Sequence, residues 1–161
     1  MKRERGPLAV VLAVLAVALA GVAVWVGLAV HDRAEADEQR TKAAQTARQF
    51  GVNLNSLDHE QAQRDLDRIL AVTTGGLKDT LASQSKTLLD QLAKTKAKST
   101  VSEPIAAVVA MDGDSAEVMV SMNAVVTNDK VKNAAPRPWR CVMDLERKDG
   151  RWLVAKMELV P

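Results

Sequence analysis

The chain has 161 residues and a formal net charge of +2, and its length suits one ordinary domain plus a short additional segment. Its basic residues are scattered and aromatic residues make up only 2% of the chain, so nothing in the sequence indicates a nucleic-acid-binding surface. The single cysteine excludes an intramolecular disulfide, and the histidines and this cysteine lack metal-ligand spacing.

The N-terminal region contains an uncharged apolar stretch from Leu8 to Val30. As a helix, a stretch of this length crosses the apolar core of a bilayer, which is about 30 Å thick. We therefore predict a membrane anchor over residues 7–30, with Leu8 and Val30 near its ends and Trp25 close to a headgroup boundary. Basic residues concentrate before the stretch, so residues 1–6 are expected in the cytoplasm and the rest outside the plasma membrane.

A cleaved secretory signal is the competing interpretation of the same stretch. The sequence ALA at 18–20 resembles a small-residue cleavage site that follows a short apolar run. The apolar character continues well beyond this site, which a cleaved signal does not require, and a retained anchor is therefore favoured. Both interpretations export residues 31–161.

Residues 31–56 are predicted to form a helical stalk that becomes the first helix of an exported domain over residues 57–161. The run from Ala34 to Phe50 is rich in good helix formers and contains no Gly or Pro. Gly51 is expected to loosen the helix where it reaches the domain.

Two more helices are predicted next. One covers 58–72, with Asp58 as its N-cap and Gln61 in the capping-box position, and it ends at the TTGG sequence of 73–76. The other covers about 77–97 and is apolar on one face only, through Leu77, Leu81, Leu88 and Leu92.

After these helices the apolar period changes to two, which predicts strands. Turn sequences separate the strands at DGDS and KDG. Helices followed by strands indicate an α+β fold with about three helices on one face of an antiparallel sheet. The predicted strands are 105–111, 116–128, 139–148 and 151–160.

The last strand pair contains the cysteine and two of the three tryptophans. Trp139, Cys141 and Met143 alternate with polar residues, so Cys141 is predicted to be a buried core residue and not a nucleophile. Trp139 and Trp152 are expected to be cross-strand neighbours.

No catalytic or ligand motif is found in the chain. Asp112 and Asp114 lie in a hairpin-turn sequence and lack the pattern of a calcium loop. No sequence typical of a nucleophile elbow, a zinc protease or a phosphate loop occurs. We therefore expect no enzyme activity, no cofactor and no bound metal.

In layout, the chain resembles the Mce-associated membrane proteins of actinobacteria. The resemblance rests on the basic start, the apolar stretch, AAQTARQFGVNLNSLD, DRILAVTTGGLKD and DGRWLV, in that order. It implies an NTF2-like exported domain, a cone of helices against a curved sheet, which is also similar to VirB8-type conjugation scaffolds. Isomerases with this fold use a tyrosine, which this chain lacks.

The resemblance implies a non-enzymatic accessory subunit that assembles or stabilises a Mce-type importer of fatty acids or sterols. Its partners would be the bilayer and importer subunits. A VirB8-like scaffold of a secretion or conjugation system is one alternative. A lipid-binding carrier is another, in which Val118, Val120 and Met122 of the sheet would cradle a lipid tail; core packing is the competing interpretation of these three residues.

Two surfaces are candidates for partner contact. The first is the polar loop of residues 128–138, because loops carry interfaces more often than strands do. The second is the alanine-rich stripe of residues 34–50. The loop residues that we single out are Asn128, Lys130, Lys132 and Arg137.

Overall fold

The computed structural model describes the backbone of residues 6–160, but not the side chains of 6–14, 16–18, 24, 26–30 and 32. Three helices precede four strands, which confirms the α+β prediction. The helices are α1 (Gly6–Asn55), α2 (Ala62–Ala71) and α3 (Gly75–Thr95). The strands are β1 (Lys98–Asp112), β2 (Ser115–Thr127), β3 (Arg137–Lys148) and β4 (Arg151–Leu159).

The four strands form one antiparallel sheet in chain order, β1-β2-β3-β4. Both predicted turns are confirmed. Asp112 pairs with Ser115 across the first turn, and Lys148 pairs with Arg151 across the second. Asp149 and Gly150 of the second turn both have positive φ, at 51° and 74°, as a two-residue hairpin loop matched to the twist of its strands requires.

The helices cover one face of this sheet, which we call the core face. α1 contributes Ala43, Ala47 and Phe50, all fully buried, and α2 contributes Ile69. α3 has no fully buried residue, and only Leu77 and Leu81 near its start pack against the core. The buried sheet residues are Ala116, Val118, Val120, Met122, Cys141, Met143, Leu145, Trp152 and Val154.

The helical segment predicted over 31–56 agrees with α1, which continues through Gly51 to Asn55 without the expected loosening. A Cβ built on Gly51 would lie 2.7 Å from Met122 Cε and 3.3 Å from Val120 Cγ1. Gly51 therefore permits a close approach of the helix to the core face of β2.

The predicted start of the second helix at Asp58 is also wrong. α2 begins at Ala62, and Asp58 instead accepts a hydrogen bond from the backbone N–H of Glu60 at 3.0 Å, within a turn. Asp58 also pairs with the start of β1, through an ion pair with Lys98 at 2.7 Å.

β1 begins seven residues before the predicted 105. Pro104 was expected to precede the strand, but a register shift between Ser102 and Ile105 accommodates it, with Glu103 at φ 53°. β1 is an edge strand, where a proline costs no ladder hydrogen bond with a further strand.

The two tryptophans are not cross-strand neighbours. The two-residue turn pairs Trp152 with Arg147, whose guanidinium lies 6.0 Å from the centre of the indole ring. Trp139 pairs with Met122 of β2, near the other end of β3. The length of the β3–β4 turn fixes this register. The predicted strand bounds located both tryptophans only approximately and did not reveal which residues pair.

The chain divides into two compact units, with the boundary between Gln39 and Arg40. Among the residues described, no helix contains an apolar stretch long enough to cross a membrane. The side chains of Leu8 and Val30 lie outside the described residues, and Trp25 is 71% exposed.

Candidate functional site

The loop between β2 and β3, residues 128–136, is organised by Asn128. The backbone N–H groups of Lys130 and Val131 both donate to Asn128 Oδ1 at 2.9 Å. The N–H of Asn128 donates to the carbonyl oxygen of Val131 at 2.9 Å. Three hydrogen bonds to one residue close the first half of the loop into a turn and hold Val131 in place.

Asp129 ties the same loop to the end of α3. Its N–H donates to the carbonyl oxygen of Thr95 at 3.4 Å. Its carboxylate lies 3.6 Å from Lys96 Nζ and 3.8 Å from Lys132 Nζ. The charge of Asp129 is therefore shared between two lysines.

Beneath this loop lies a cavity of about 490 Å³, within the size range of small-molecule sites. Three polar residues line it, namely Asn55 from the end of α1, Asn128 and Arg137. No acidic residue is among its lining residues. Its apolar lining consists of Ala124, Val126, Val131, Ala134, Ala135, Pro138 and Trp139.

The cavity brings together two of the four predicted loop residues, Asn128 and Arg137, but not Lys130 or Lys132. In the described part of the chain, Arg137 forms no ion pair and no side-chain hydrogen bond, in contrast to the paired Lys132. Sequence reasoning missed Asn55, which lies more than 70 positions before the loop, and no local signal reveals it. It also missed Trp139, which was assigned to the sheet alone.

A second surface lies on the opposite face of the sheet, the outer face. Ala107 of β1, Met119 of β2 and Val142 of β3 are successive cross-strand partners there. Ile105 and Val109 extend the row on β1 and are 66% and 55% exposed, and Met119 is 46% exposed. We call these five residues the outer apolar band.

The outer apolar band adjoins an open sheet edge. No described strand pairs with β1 on the side away from β2. The first residues of β1 are covered by the segment after α1, where the N–H of Ser99 donates to the carbonyl oxygen of Leu57 at 2.8 Å. An edge strand next to exposed apolar side chains is a typical surface for protein association.

The buried residues of the other predicted surfaces pack within the protein. Ala43 and Ala47 of the alanine stripe are fully buried in the protein's own core. Val118, Val120 and Met122 are also buried there, which confirms core packing for them and leaves none of their surface for a lipid tail.

Cys141 is a core residue, as predicted. Its side chain is fully buried, and burial raises the pKa of its thiol to about 12, although a hydrogen bond with the backbone of Val120 lowers it slightly. At neutral pH the thiol is therefore protonated and not nucleophilic.

The turn prediction for Asp112 and Asp114 is confirmed. Asp114 accepts a hydrogen bond from Arg147 Nε at 2.6 Å, and its carbonyl oxygen accepts one from the Arg147 N–H at 2.7 Å. The turn is thereby held against β3. Within the described residues, no three His, Cys, Asp or Glu side chains are grouped as metal ligands.

Several solved structures have a similar fold. An IcmL-like type IV secretion system protein from Legionella pneumophila gives a TM-score of 0.57 at 13% identity, over 76% of this chain and 92% of that chain. TraE, in complex with a pyrrolyl pyridine carboxylic acid, gives 0.58 at 16% identity, over 72% and 92%. An Ntf2-like protein involved in plasmid conjugation gives 0.52 at 18% identity, over 75% and 48%. These similarities establish an NTF2-like fold.

In sequence, the chain is 28% identical over 143 residues to the uncharacterized protein Rv1363c of Mycobacterium tuberculosis. The matched region is 89% of this chain but 54% of that protein, so the chain spans about half the length of this relative. The family model described as "Uncharacterized protein Rv1363c/MT1408-like" matches residues 6–161. The chain therefore belongs to the Rv1363c/MT1408-like family.

Proposed function

We propose that this protein is a non-enzymatic accessory subunit of a membrane-associated complex in the cell envelope. Residues 7–30 anchor it in the plasma membrane with residues 1–6 in the cytoplasm. The domain that follows lies outside the membrane and holds another protein subunit.

The outer apolar band carries this proposal. Apolar side chains at its centre are flanked on the outer face by charged residues, among them Glu117 and the Lys156–Glu158 ion pair. An apolar centre with a polar rim is the usual composition of a protein interface. The open edge of β1 next to the band also offers backbone groups to a strand of the partner.

The lack of catalytic activity is part of the same proposal. The thiol of Cys141 is buried and protonated. The carboxylates of Asp58 and Asp114 are paired with Lys98 and Arg147. These groups stabilise the fold and do not converge on a reacting position.

For the complex itself, we propose a Mce-type importer of fatty acids or sterols. The support is the sequence resemblance carried by DRILAVTTGGLKD and DGRWLV. In the structure the first segment joins α2 to α3, and the second forms the β3–β4 turn. The N–H of Thr74 donates to the carbonyl oxygen of Val154 at 2.9 Å, so the two segments are adjacent.

A scaffold role in secretion or conjugation is the second candidate. It is favoured by the similar structures, which are described as a type IV secretion system protein and a protein involved in plasmid conjugation. The two candidates share the anchor and the interface and differ in the identity of the partner.

Site-specific photocrosslinking in the native host tests both candidates. A photoreactive phenylalanine analogue replaces Met119 in the outer apolar band, and the matched control places it at Lys86, an exposed position of α3. We expect a discrete crosslinked protein from position 119 only, and mass spectrometry then identifies an importer subunit or a secretion component. Equal crosslinking from both positions, or none from position 119, contradicts an interface at the band.

A further inference from the structure

The cavity beneath the β2–β3 loop has the chemistry of a binding site for a small organic anion. Its only charged lining residue is Arg137. Within the described residues Arg137 has no ion-pair or side-chain hydrogen-bond partner, and the nearby carboxylate of Asp129 is shared by Lys96 and Lys132. A guanidinium without a carboxylate partner offers several hydrogen-bond donors to an anionic group.

The rest of the lining is suited to an apolar chain or ring. Trp139 is half-buried, while Val126 and Val131 are 52% and 45% exposed. Val131 is held in the loop by its hydrogen bonds to Asn128, so the apolar wall is formed before a ligand arrives. A mostly apolar wall with a small number of polar groups is typical of small-molecule sites.

We propose that this cavity binds an amphipathic monoanion, with Arg137 on the acidic group and Val131 and Trp139 on the apolar part. Neither half of the ligand is sufficient alone, because the guanidinium is partly exposed to water and the apolar wall is small. The proposal is independent of the scaffold role, since the cavity and the outer apolar band are on different surfaces.

Calorimetric titration of the full chain, kept in solution by a non-ionic amphipathic polymer, tests the site. The probes are decanoate, decanol, which has the chain without the charge, and acetate, which has the charge without the chain. The heat of each probe with the polymer alone is subtracted. We expect saturable binding of decanoate, with decanol and acetate each at least about tenfold weaker.

Arg137→Gln should weaken decanoate binding about ten- to hundredfold, because a charged hydrogen bond is lost. The matched control is Arg140→Gln, which removes an exposed arginine of the same strand outside the cavity and should leave the affinity unchanged. Val131→Asp adds a negative charge at an exposed loop position and should also weaken binding at least about tenfold.

Three results would overturn the proposal: no saturable decanoate binding, decanol binding as tight as decanoate, or equal affinity of the Arg137→Gln and Arg140→Gln proteins. Circular dichroism of each variant confirms that the fold is retained, as expected for substitutions at exposed positions. Because the crosslinking from position 119 does not involve the cavity, failure of one proposal leaves the other to be judged on its own result.

Discussion

At the scale of single residues, Gly51 shows how the packing of α1 on the sheet depends on one missing side chain. A glycine within a helix costs about 1 kcal/mol relative to alanine. In α1 the glycine allows the helix to lie close to the sheet, because a Cβ on Gly51 would lie 2.7 Å from Met122 Cε and 3.4 Å from Trp139 Cζ3. Gly51, expected to loosen the helix, is therefore a packing residue.

Gly51→Leu should lower the free energy of unfolding by about 1–3 kcal/mol, because the larger side chain overpacks a filled core. The matched control is Gly76→Leu in α3, since nothing lies within 4 Å of a Cβ at that position. Urea unfolding followed by circular dichroism measures both. Equal stability of the two variants would show that the core face does not approach α1 closely at Gly51.

Cys141 provides a second test at the residue scale. Burial raises its pKa to about 12 from an ordinary value of 9.0, so the thiol of the folded protein should react only when the structure opens. Alkylation by iodoacetamide at pH 8.5 should be roughly 1000-fold slower or more in the folded protein than in urea. Since the pKa is higher in the folded state, the thiol's contribution to stability is complete below pH 9.0 and decreases as the pH rises towards 12.

An exposed cysteine is the control for this reaction. Ser83→Cys in a Cys141→Ala background should react at similar rates in the folded and unfolded protein, because position 83 lies on the exposed side of α3. Rapid alkylation of folded Cys141 would contradict its burial.

At the scale of elements, the segment of residues 57–59 acts as a strap on the start of β1. The N–H of Leu57 donates to Ser99 Oγ at 2.9 Å, and the N–H of His59 donates to the carbonyl oxygen of Ala97 at 3.1 Å. Lys98 and Asp58 add the ion pair. The strap therefore joins the connection between α1 and α2 to the edge of the sheet.

Lys98→Met should make the stability of the folded protein less sensitive to a fall in pH. The hydrogen bond from Lys98, followed by that from the Glu60 N–H, holds the pKa of Asp58 below its ordinary value of 3.8. Because the folded-state pKa is lowered, this contribution to stability is present above about pH 4 and is lost as the pH falls through the folded pKa. The urea midpoint of the variant should be lower than that of the wild type at pH 7 and should approach it at pH 3.

The same pair has an alkaline limit, because the carboxylate of Asp58 raises the pKa of Lys98 above 10.5. That contribution to stability is present below pH 10.5 and is lost as the pH rises through the raised pKa of Lys98.

Lys130→Met is the control for Lys98→Met, since Lys130 forms no ion pair within the described residues. A difference between wild type and Lys98→Met that is the same at pH 3 and pH 7 would exclude the ion pair as its source.

The strap also explains two errors of the sequence analysis. Asp58 has the features of an N-cap, and residues 98–104 have those of a connection before a strand. In the structure these two segments pair with each other, across about 40 positions of the chain. Local patterns gave the existence, type and order of all the helices and strands from residue 34 onwards, whereas a long-range pairing decided where two of them begin.

The candidate site was predictable to a similar extent. Loop chemistry pointed to Asn128 and Arg137, and both line the cavity. The two lysines in the same loop were equally good candidates by sequence, and only the position of Asp129 shows that Lys132 is paired. Asn55 reaches the cavity because α1 continues past Gly51 without interruption.

At the scale of the whole molecule, the hydrophobic core is formed by residues from both the beginning and the end of the unit that starts at Arg40. Phe50 of α1 and Val154 of β4 belong to the same buried cluster. The unit that begins at Arg40 contains this entire cluster. The last part of α1 is therefore part of the domain and not only a connection to it.

This division predicts how the protein tolerates shortening from its N-terminus. A chain that begins at residue 34 retains Ala43, Ala47 and Phe50 and should unfold cooperatively, with the same urea midpoint as the full chain. A chain that begins at residue 52 lacks all three. Truncating one buried phenylalanine to alanine costs about 3–5 kcal/mol, and the total stability of a domain is about 5–15 kcal/mol. The shorter chain should therefore show no cooperative transition.

Phe50→Ala in the chain that begins at residue 34 separates the loss of core packing from the loss of chain length. It should lower the free energy of unfolding by about 3–5 kcal/mol while the transition stays cooperative. Glu35→Ala, at an exposed position of the same helix, is the matched control and should change it by less than about 0.5 kcal/mol. If the chain that begins at residue 52 unfolds with the midpoint of the longer chain, α1 does not contribute to the core, and the domain begins after it.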